Sequence, residues 1–364
     1  METNFGASAP YTVGVEEEYQ LIDPSTLELS PVIGDVLAAR DAAGLPRDLV
    51  ASELSASCIE ARSPVYEDVA GLAEELPKLR RRVKGLVEGC GVLLAAAGAH
   101  PFSDATAQPI TAGERYRRVE EEMGWAARTQ AIYGLHVHVA VPDEEAAIRA
   151  TNTLARNVPL FIALSANSPF WRGRDTRLSS VRAKVFGLVL RSGLPPAFRS
   201  WEEFERHVDL LVRAGSIPDY TWCWWDARPH PKIGTVELRA PDVQTEVERA
   251  IALAALTQCL VATAEDRRPE DPLFIEENKW RATRYGLDAR LHDFSTGEST
   301  PARDAARELV EELSPVAQDL RCENELEGVL EIVEGGTGAD RQRLIFAKSG
   351  SMKSVVEHLV ATTA

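Results

Sequence analysis

Alternating polar and apolar positions mark several short strands in the first two thirds of the chain. Residues 11–22 alternate with period two, and residues 134–141 and 234–240 repeat the pattern. Residues 49–61 have the composition of strand and turn, and residues 92–97 form a short apolar stretch. Because successive side chains of a strand point to opposite faces, these segments predict a sheet with different chemistry on its two faces.

Helical spacing fills most of the remaining chain. From residue 69 the apolar positions step by three and four, which predicts an amphipathic helix with Arg80, Arg81 and Lys84 mostly outside. Pro77 should kink this helix or mark a late start. Further helices are predicted over residues 113–130, 144–166, 201–213, 243–265, 272–284, 301–313 and 326–333, and from residue 340 to the end. Since strands and helices do not alternate regularly, the pattern favours an α+β fold over a doubly wound sheet.

Composition restricts the classes of partner and compartment. The 364 residues carry a formal net charge of −16, which argues against a nucleic-acid or anionic-membrane surface and suits divalent cations. The five cysteines are scattered without a C-x-x-C pair, as is typical of a reducing compartment. No signal peptide is visible, and Thr257 and Gln258 interrupt the longest apolar stretch, residues 250–264. We therefore expect a cytoplasmic protein with no membrane partner.

An acidic strand is the first candidate site. In residues 14–21, alternation places Glu16, Glu18 and Gln20 on one face. Two carboxylates at neighbouring positions of one face repel each other unless a cation lies between them. Hard oxygen ligands favour Mg²⁺ or Mn²⁺ over zinc. The alternative is an ordinary solvated strand face.

Two further segments carry candidate ligands. Glu53 and Glu60 are separated by an odd spacing, so both can face one site only across a bulge or a turn. His136 and His138 share one face of the most strand-like segment, where a buried histidine pair without partners would be costly. The pair therefore lines a cavity or lies on an exposed face, and no third nitrogen or sulfur ligand lies nearby in sequence to favour zinc.

Basic residues supply the complementary charge. Glu237 and Arg239 lie side by side on one strand face, a geometry that can bind a metal and a phosphate together. A positive segment follows the 144–166 helix and contains Arg172, Arg174, Arg177, Arg182 and Lys184. These side chains can clamp a carboxylate or a phosphate, or they can form a charged surface loop. The chain has no P-loop and no G-x-G-x-x-G motif, so metals and arginines would have to hold any phosphate.

Together these segments resemble a known family. Gly-Val-Glu-Glu-Glu-Tyr-Gln-Leu at 14–21, Gly-Leu-His-Val-His-Val at 134–139 and Ser-Ala-Asn-Ser-Pro-Phe at 165–170 carry the resemblance, together with Trp-Trp-Asp-Ala-Arg-Pro and Gly-Thr-Val-Glu-Leu-Arg within 224–239. They are similar to the carboxylate–amine ligases related to glutamate–cysteine ligase type 2. Asn278, Trp280, Arg284 and Gly286 extend the likeness, which spans residues 11 to 350.

The resemblance implies a fold and a site. The fold would be that of glutamine synthetase and the guanido kinases, a curved, mainly antiparallel sheet with an active-site funnel on its concave face and helices outside. Residues 11–364 would form one catalytic domain, with the sheet and site in 11–241 and a mainly helical part in 242–364. The implied ligands are Glu18, Glu53 and Glu60 for one Mg²⁺, and Glu16, His136 and Glu237 for a second. His138, Asn278 and Arg284 would contact the nucleotide, Arg239 the γ-phosphoryl group, and Arg182 the substrate carboxylate.

The implied reaction is ATP-dependent ligation. ATP would phosphorylate the side-chain carboxylate of an amino acid such as glutamate, and an amine such as cysteine would displace the phosphate. Alternatives are a metal-dependent amide hydrolase, a ligase for a different acid or amine, and a non-catalytic nucleotide-binding protein. Relatives often have glycine where Arg177 stands, so the cysteine assignment depends on what this arginine does. The resemblance also suggests a homodimer.

Overall fold

A mixed α/β architecture is built around one large sheet in the computed structural model, which describes residues 1–267 and 269–363. Within these ranges the strands are β1 (Val13–Ile22), β2 (Val50–Ser52), β3 (Cys58–Arg62), β4 (Leu93–Ala95), β5 (Leu135–Ala140), β6 (Phe170–Trp171), β7 (Arg174–Asp175), β8 (Ser192–Gly193), β9 (Trp224–Trp225), β10 (Ala227–His230), β11 (Thr235–Leu238), β12 (Arg290–His292) and β13 (Ser299–Pro301). The large sheet has seven strands in the order β10-β11-β5-β1-β3-β2, and β4 pairs with the end of β1. All of its pairings are antiparallel.

Helices cover one side of the sheet and form most of the chain after residue 241. They are α1 (Ile33–Ala42), α2 (Val69–Gly89), α3 (Glu114–Met123), α4 (Trp125–Arg128), α5 (Glu144–Ser165), α6 (Arg182–Phe186), α7 (Trp201–Arg213), α8 (Val247–Ala262), α9 (Pro272–Tyr285), α10 (Ala302–Asp319), α11 (Glu323–Gly335), α12 (Gly338–Ser349) and α13 (Met352–Thr362). No helix in the described ranges is both long and apolar enough to cross a membrane.

The apolar face of the sheet forms the core. Val15 and Tyr19 of β1, Val137 and Val139 of β5, and Val236 of β11 are almost completely buried. Helices α2, α5 and α8 pack against these strands. Each such side chain contributes about 1.5–3 kcal/mol when it leaves water. The same core continues to Leu359 near the chain end, but the assignment of residues 11–364 to a single domain stays a prediction.

One buried ion pair interrupts this apolar face. Glu17 points into the core between Glu16 and Glu18, and its Oε2 accepts from Arg80 Nε at 3.0 Å. The remaining Arg80 nitrogens donate to the carbonyls of Gln244 and Thr245 at 3.0 Å. The expectation that Arg80 lies mostly outside is therefore wrong. Arg80 lies four residues after the buried Leu76, so both face inward on α2.

Most of the predicted elements are present, but several bounds differ and helix α1 was not predicted. Helix α7 has the predicted bounds, and α5 ends one residue before the predicted end. The segment 113–130 is divided into α3 and α4 at Gly124, which has a φ of 55° that glycine adopts without strain. Helix α2 continues through Pro77 instead of beginning after it. The α+β class, with an antiparallel sheet and helices packed outside, is confirmed.

Candidate active site

The other face of the large sheet carries charged and imidazole side chains that pair across strands. Glu16 of β1 lies opposite His136 of β5, and Glu18 of β1 lies opposite Glu60 of β3. His138 of β5 lies opposite Glu237 of β11. Residues directly opposite in an antiparallel pair point to the same face. The alternation of four strands therefore brings these six side chains together.

Glu53 reaches the same face from the connection between β2 and β3. Its carboxylate lies within 4.8 Å of ligand atoms of Glu18 and Glu60. Glu53 and Glu60 can face the same site despite their odd spacing, because residues 53–57 leave the sheet after β2 and the chain re-enters it at Cys58 in β3. These three carboxylates match the first ligand set that the family resemblance implies.

Two more groups of potential ligands continue across the sheet. Ligand atoms of Glu16, Glu60 and His136 lie within 4.8 Å of one another, and so do those of Glu16, His138 and Glu237. Glu16 and Glu60 each belong to two groups. The resemblance placed His136 with Glu16 and Glu237, whereas the geometry places His138 there, because His138 is the cross-strand partner of Glu237.

Arginines hold the carboxylates ionised at the β10–β11 end. Glu237 is buried and accepts from Arg228 Nε at 2.7 Å and from Arg239. Burial opposes its ionisation, but Arg228 and Arg239 hold the pKa of Glu237 well below its usual range. Burial likewise opposes ionisation of Glu16, whose pKa His136 and His138 lower. Both groups are therefore anionic at neutral pH.

Carboxylates crowd each other at the opposite end. Burial, followed by the charge of Glu53, raises the pKa of Glu18 to about 7. Burial, followed by Glu16 and Glu53, raises the pKa of Glu60 well above its usual range. Arg62 forms an ion pair with Glu60, and its Nε lies 3.5 Å from Glu16 Oε1. A divalent cation would relieve this repulsion, since it favours the ionised form of each carboxylate.

The two histidines have free nitrogens that face the cluster. Burial, followed by Arg239, lowers the pKa of His136 to about 3, so its imidazole is neutral. Burial opposes the charge of His138, but Glu237 and Glu16 raise the pKa of His138. The Nε2 atoms of both rings are buried without a hydrogen-bond partner. Mg²⁺ and Mn²⁺ prefer carboxylate oxygens, which make up most of the donor set, so the cluster fits such ions.

A cavity opens beside the Glu18 end of the cluster, with about 770 Å³ of empty space when its mouth is included. Its lining combines charged groups, Arg182 and Arg239 among them, with apolar side chains. The lining residues are Glu18, Glu53, Leu54, Ser55, Cys58, Arg115, Tyr116, Val119, Gln130, Ile132, His136, Arg182, Phe186, Val189, Trp224 and Arg239. The space suits a small polar molecule that touches both the carboxylates and the arginines.

Comparison with known proteins identifies the family. The family described as glutamate–cysteine ligase family 2 has a sequence profile that matches residues 12–358. The chain belongs to this family. A protein of Rubrobacter xylanophilus, provisionally named glutamate–cysteine ligase 2-3, is 68% identical over 364 residues, 100% of both chains. A provisionally named glutamate–cysteine ligase 2 of Chloroflexus aurantiacus is 39% identical over 98% of this chain and 93% of its own. The resemblance is confirmed, and membership of glutamate–cysteine ligase family 2 supports a ligase role.

Solved structures share the fold. A glutamate–cysteine ligase of Francisella tularensis, solved in complex with AMP, has a TM-score of 0.72 at 13% identity and covers 98% of this chain and 89% of that chain. A bifunctional glutathione synthetase from Pasteurella multocida has a TM-score of 0.68 at 12% identity, covering 97% of this chain and 52% of its own. At such low identity these similarities establish the fold alone.

Two residues that the glutamate–cysteine ligase resemblance assigned to the nucleotide form hydrogen bonds with backbone groups of other segments. The Asn278 side chain exchanges two hydrogen bonds of 2.8 Å with the backbone of His292, so it fixes strand β12 to helix α9. Arg284 donates to the carbonyl of Arg177. Neither residue lines the cavity beside Glu18. Contact of Asn278 and Arg284 with the nucleotide stays a prediction.

Sequence reasoning missed Arg228 as a member of the site. Arg228 lies opposite Glu237 on β10 and is almost completely buried. Its guanidinium also donates to the carbonyl of Cys223 at 2.8 Å. The signal was an arginine inside the Trp-Trp-Asp-Ala-Arg-Pro segment, one residue before Pro229. Proline is tolerated on edge strands, and β10 is the edge strand beside β11.

Proposed function

We propose that the chain is an ATP-dependent carboxylate–amine ligase that joins the side-chain carboxylate of glutamate to an amine such as cysteine. The observation that carries the proposal is the row of three donor groups, linked by Glu16 and Glu60, beside a cavity that Arg182 and Arg239 line. Phosphoryl transfer requires positioning and neutralisation of charge more than a covalent nucleophile. This cluster supplies both requirements.

The metal sites of the proposal are the three groups found on the sheet. Glu18, Glu53 and Glu60 would hold one cation, and Glu16 and Glu237 with His138 would hold another. Bound Mg²⁺ or Mn²⁺ would supply charge neutralisation for phosphate oxygens, worth several kcal/mol in such reactions. The third group, with His136, lies between these two and shares a carboxylate with each.

The arginines have separate parts in the proposed reaction. Arg239 would meet the phosphoryl group in transfer, because it lines the cavity and its guanidinium contacts Glu237 and His136. An arginine directed at a transferring phosphoryl group is worth about 10³-fold or more in rate. Arg182 would bind the carboxylate of the acid, since its Nε is buried without a partner.

The chemistry balances in two steps. An oxygen of the acid's carboxylate attacks the γ-phosphorus of ATP, and the bond to ADP breaks, which leaves an acyl phosphate. The amine nitrogen then attacks the acyl carbon, inorganic phosphate leaves, and the nitrogen gives up a proton as the amide forms. Small-molecule substrates are thus the partners of this site, and a homodimer and a cytoplasmic location remain our expectations.

Release of ADP tests the proposal. Purified protein with ATP and Mg²⁺ should release ADP when L-glutamate and L-cysteine are both present, in a coupled assay over a panel of acids and amines. ADP release with a different acid or amine would change the substrate assignment only. Cleavage of amides without ATP would support the metal-dependent hydrolase instead, and ATP binding without turnover would support a non-catalytic protein.

Arg239 gives a more specific test. Arg239→Lys should lower kcat for ADP release by about 10²–10³-fold and change the KM for ATP by less, because lysine keeps the charge but loses the planar fork. Arg290→Lys, at an exposed arginine on β12, is the matched control. An equal loss in kcat and in ATP binding would contradict the assigned role.

A further inference from the structure

Asp242 is a buried carboxylate that takes no part in the proposed reaction. It is 1% exposed and lies four residues after the end of β11. Its Oδ2 accepts from Ser168 Oγ at 2.7 Å and from the backbone N–H of Asn167 at 2.9 Å. Its Oδ1 accepts from Ser180 Oγ at 2.8 Å. All three donors are uncharged groups of the segments that flank the start of helix α6.

The same hydrogen bonds lead directly to Arg182, the first residue of α6. Ser168 Oγ accepts from the backbone N–H of Arg182 at 3.2 Å, and Ser180 Oγ accepts from that of Ala183 at 3.3 Å. Each serine therefore donates to Asp242 and accepts from the first turn of α6. The carboxylate fixes where this short helix begins.

The other end of Arg182 is held by the chain just before Asp242. Its Nη1 donates to the carbonyl of Ala240 at 2.9 Å, and its Nη2 donates to that of Arg239 at 3.0 Å. Gly134 leaves the space for this guanidinium, because a Cβ at residue 134 would lie 2.1 Å from Arg182 Nη2. Both the backbone and the guanidinium of Arg182 are thus tied to residues 239–242.

We propose that Asp242, through Ser168 and Ser180, is the positioning residue of Arg182 and sets where the acid substrate's carboxylate binds. The proposal rests on the function proposed above, in which Arg182 binds that carboxylate. A long arginine side chain has many rotamers, and a site is effective only when its groups are held to within about 0.5 Å. The hydrogen bonds at both ends of Arg182 provide this restraint.

A kinetic cycle separates positioning from ordinary stabilisation. Ser180→Ala and Ser168→Ala should each raise the KM for L-glutamate by about 10-fold and leave the KM for ATP within twofold. In an Arg182→Lys background the effect of Ser180→Ala on this KM should disappear, because residues that act through one another are not additive. Ser349→Ala, at an exposed serine of α12, is the matched control.

Two outcomes of the cycle would overturn the proposal. One is an unchanged KM for L-glutamate in both serine variants. The other is an additive effect of Ser180→Ala on this KM in the Arg182→Lys background, with losses of activity that parallel losses of melting temperature. That result would mean that the hydrogen bonds around Asp242 only stabilise the fold.

A crystal structure of Ser180→Ala gives a readout that does not depend on turnover. We expect the Arg182 guanidinium to leave the carbonyls of Arg239 and Ala240. Retention of both hydrogen bonds would overturn the positioning role even if the kinetics changed. If the wild-type protein released no ADP with any acid, the proposed function would fail, and this crystallographic comparison alone would decide the inference. Asp242→Asn, which keeps the shape but loses one acceptor oxygen, should displace the guanidinium in the same way.

Discussion

Replacement of Glu18 by glutamine should stabilise the protein when no metal is bound. The pKa of Glu18 is raised from its ordinary 4.5 to about 7 in the folded protein. A carboxyl with a raised pKa contributes stability that is fully present below pH 4.5 and is lost as the pH rises through about 7. At about 1.4 kcal/mol for each pH unit between the two values, the loss at pH 8 is on the order of 3 kcal/mol.

Glutamine at residue 18 does not titrate, and its amide oxygen can still accept from the backbone N–H of Gly134, as Glu18 does. Glu18→Gln should therefore melt higher than wild type at pH 8 in EDTA and nearly equal to it at pH 4.5. For a chain of 364 residues, with roughly 2 cal/mol/K of unfolding entropy per residue, about 3 kcal/mol corresponds to about 4 °C.

Added Mg²⁺ should remove most of this difference in stability. A ligand at 100 times its Kd stabilises the state that binds it by about 2.7 kcal/mol, which is about 3–4 °C for a chain of this size. Wild type should gain this amount at pH 8, and Glu18→Gln should gain much less because it has lost a charged ligand. Thermal unfolding by calorimetry, in EDTA and in Mg²⁺, at pH 4.5 and pH 8, measures all of these differences.

The matched control is Glu122→Gln at an exposed residue of α3, which should change neither melting temperature nor metal response. The reasoning is refuted if Glu18→Gln lowers the melting temperature in EDTA at pH 8. It is equally refuted if Mg²⁺ stabilises variant and wild type to the same extent, since Glu18 would then contribute nothing to the cation site.

Two further predictions concern the backbone at residues 177 and 134. Arg177 is exposed and has a φ of 60°, a region that costs a residue with a side chain about 1–2 kcal/mol, so Arg177→Gly should raise the melting temperature slightly; a decrease would contradict this. Gly134→Ala would place a Cβ 2.1 Å from Arg182 Nη2 and should reduce ADP release by more than 10-fold. The control is Gly85→Ala in the middle of α2, where no atom lies within 4 Å of the added carbon. It should keep full activity and raise the free energy of unfolding by about 0.5–1 kcal/mol. Equal activity of Gly134→Ala and Gly85→Ala would contradict the importance of the contact between residue 134 and Arg182.

Local periodicity was sufficient for much of the fold. Alternation in residues 134–141 and 234–240 identified two strands. It also identified which side chains share a face, because side chains two residues apart in a strand point to the same side. The bounds of α7 were predicted correctly, and the structure shows that the Ser200 side chain caps the helix. Helix α1 was missed because Ile33 and Val36 are its only buried apolar residues, too few for a periodic signal.

Long-range partners were much harder to predict. Nothing local shows that Arg80 lies beside Glu17, which is 63 residues away in sequence, or that Arg228 neutralises Glu237. The grouping of His138 with Glu16 and Glu237 depends on the strand register, which a single sequence does not determine. The resemblance to the family identified which residues belong to the acidic cluster. The strand register, known only from the structure, determines which of them share each of the three groups of potential metal ligands.

The pairing of Glu17 with Arg80 has a consequence for how β1 finds its register. Residues 16–18 are all glutamate. A shift of strand β1 by one residue would therefore still place glutamates at most of the same positions of the sheet. Such a slip would turn two carboxylates toward hydrocarbon and leave the cavity with one. Because the buried Arg80 guanidinium donates to Glu17 alone among the three glutamates, a shifted register would lose this ion pair, and the pair therefore stabilises the correct alignment. A residue far from the chemistry thus ensures that the right pair of charges reaches it.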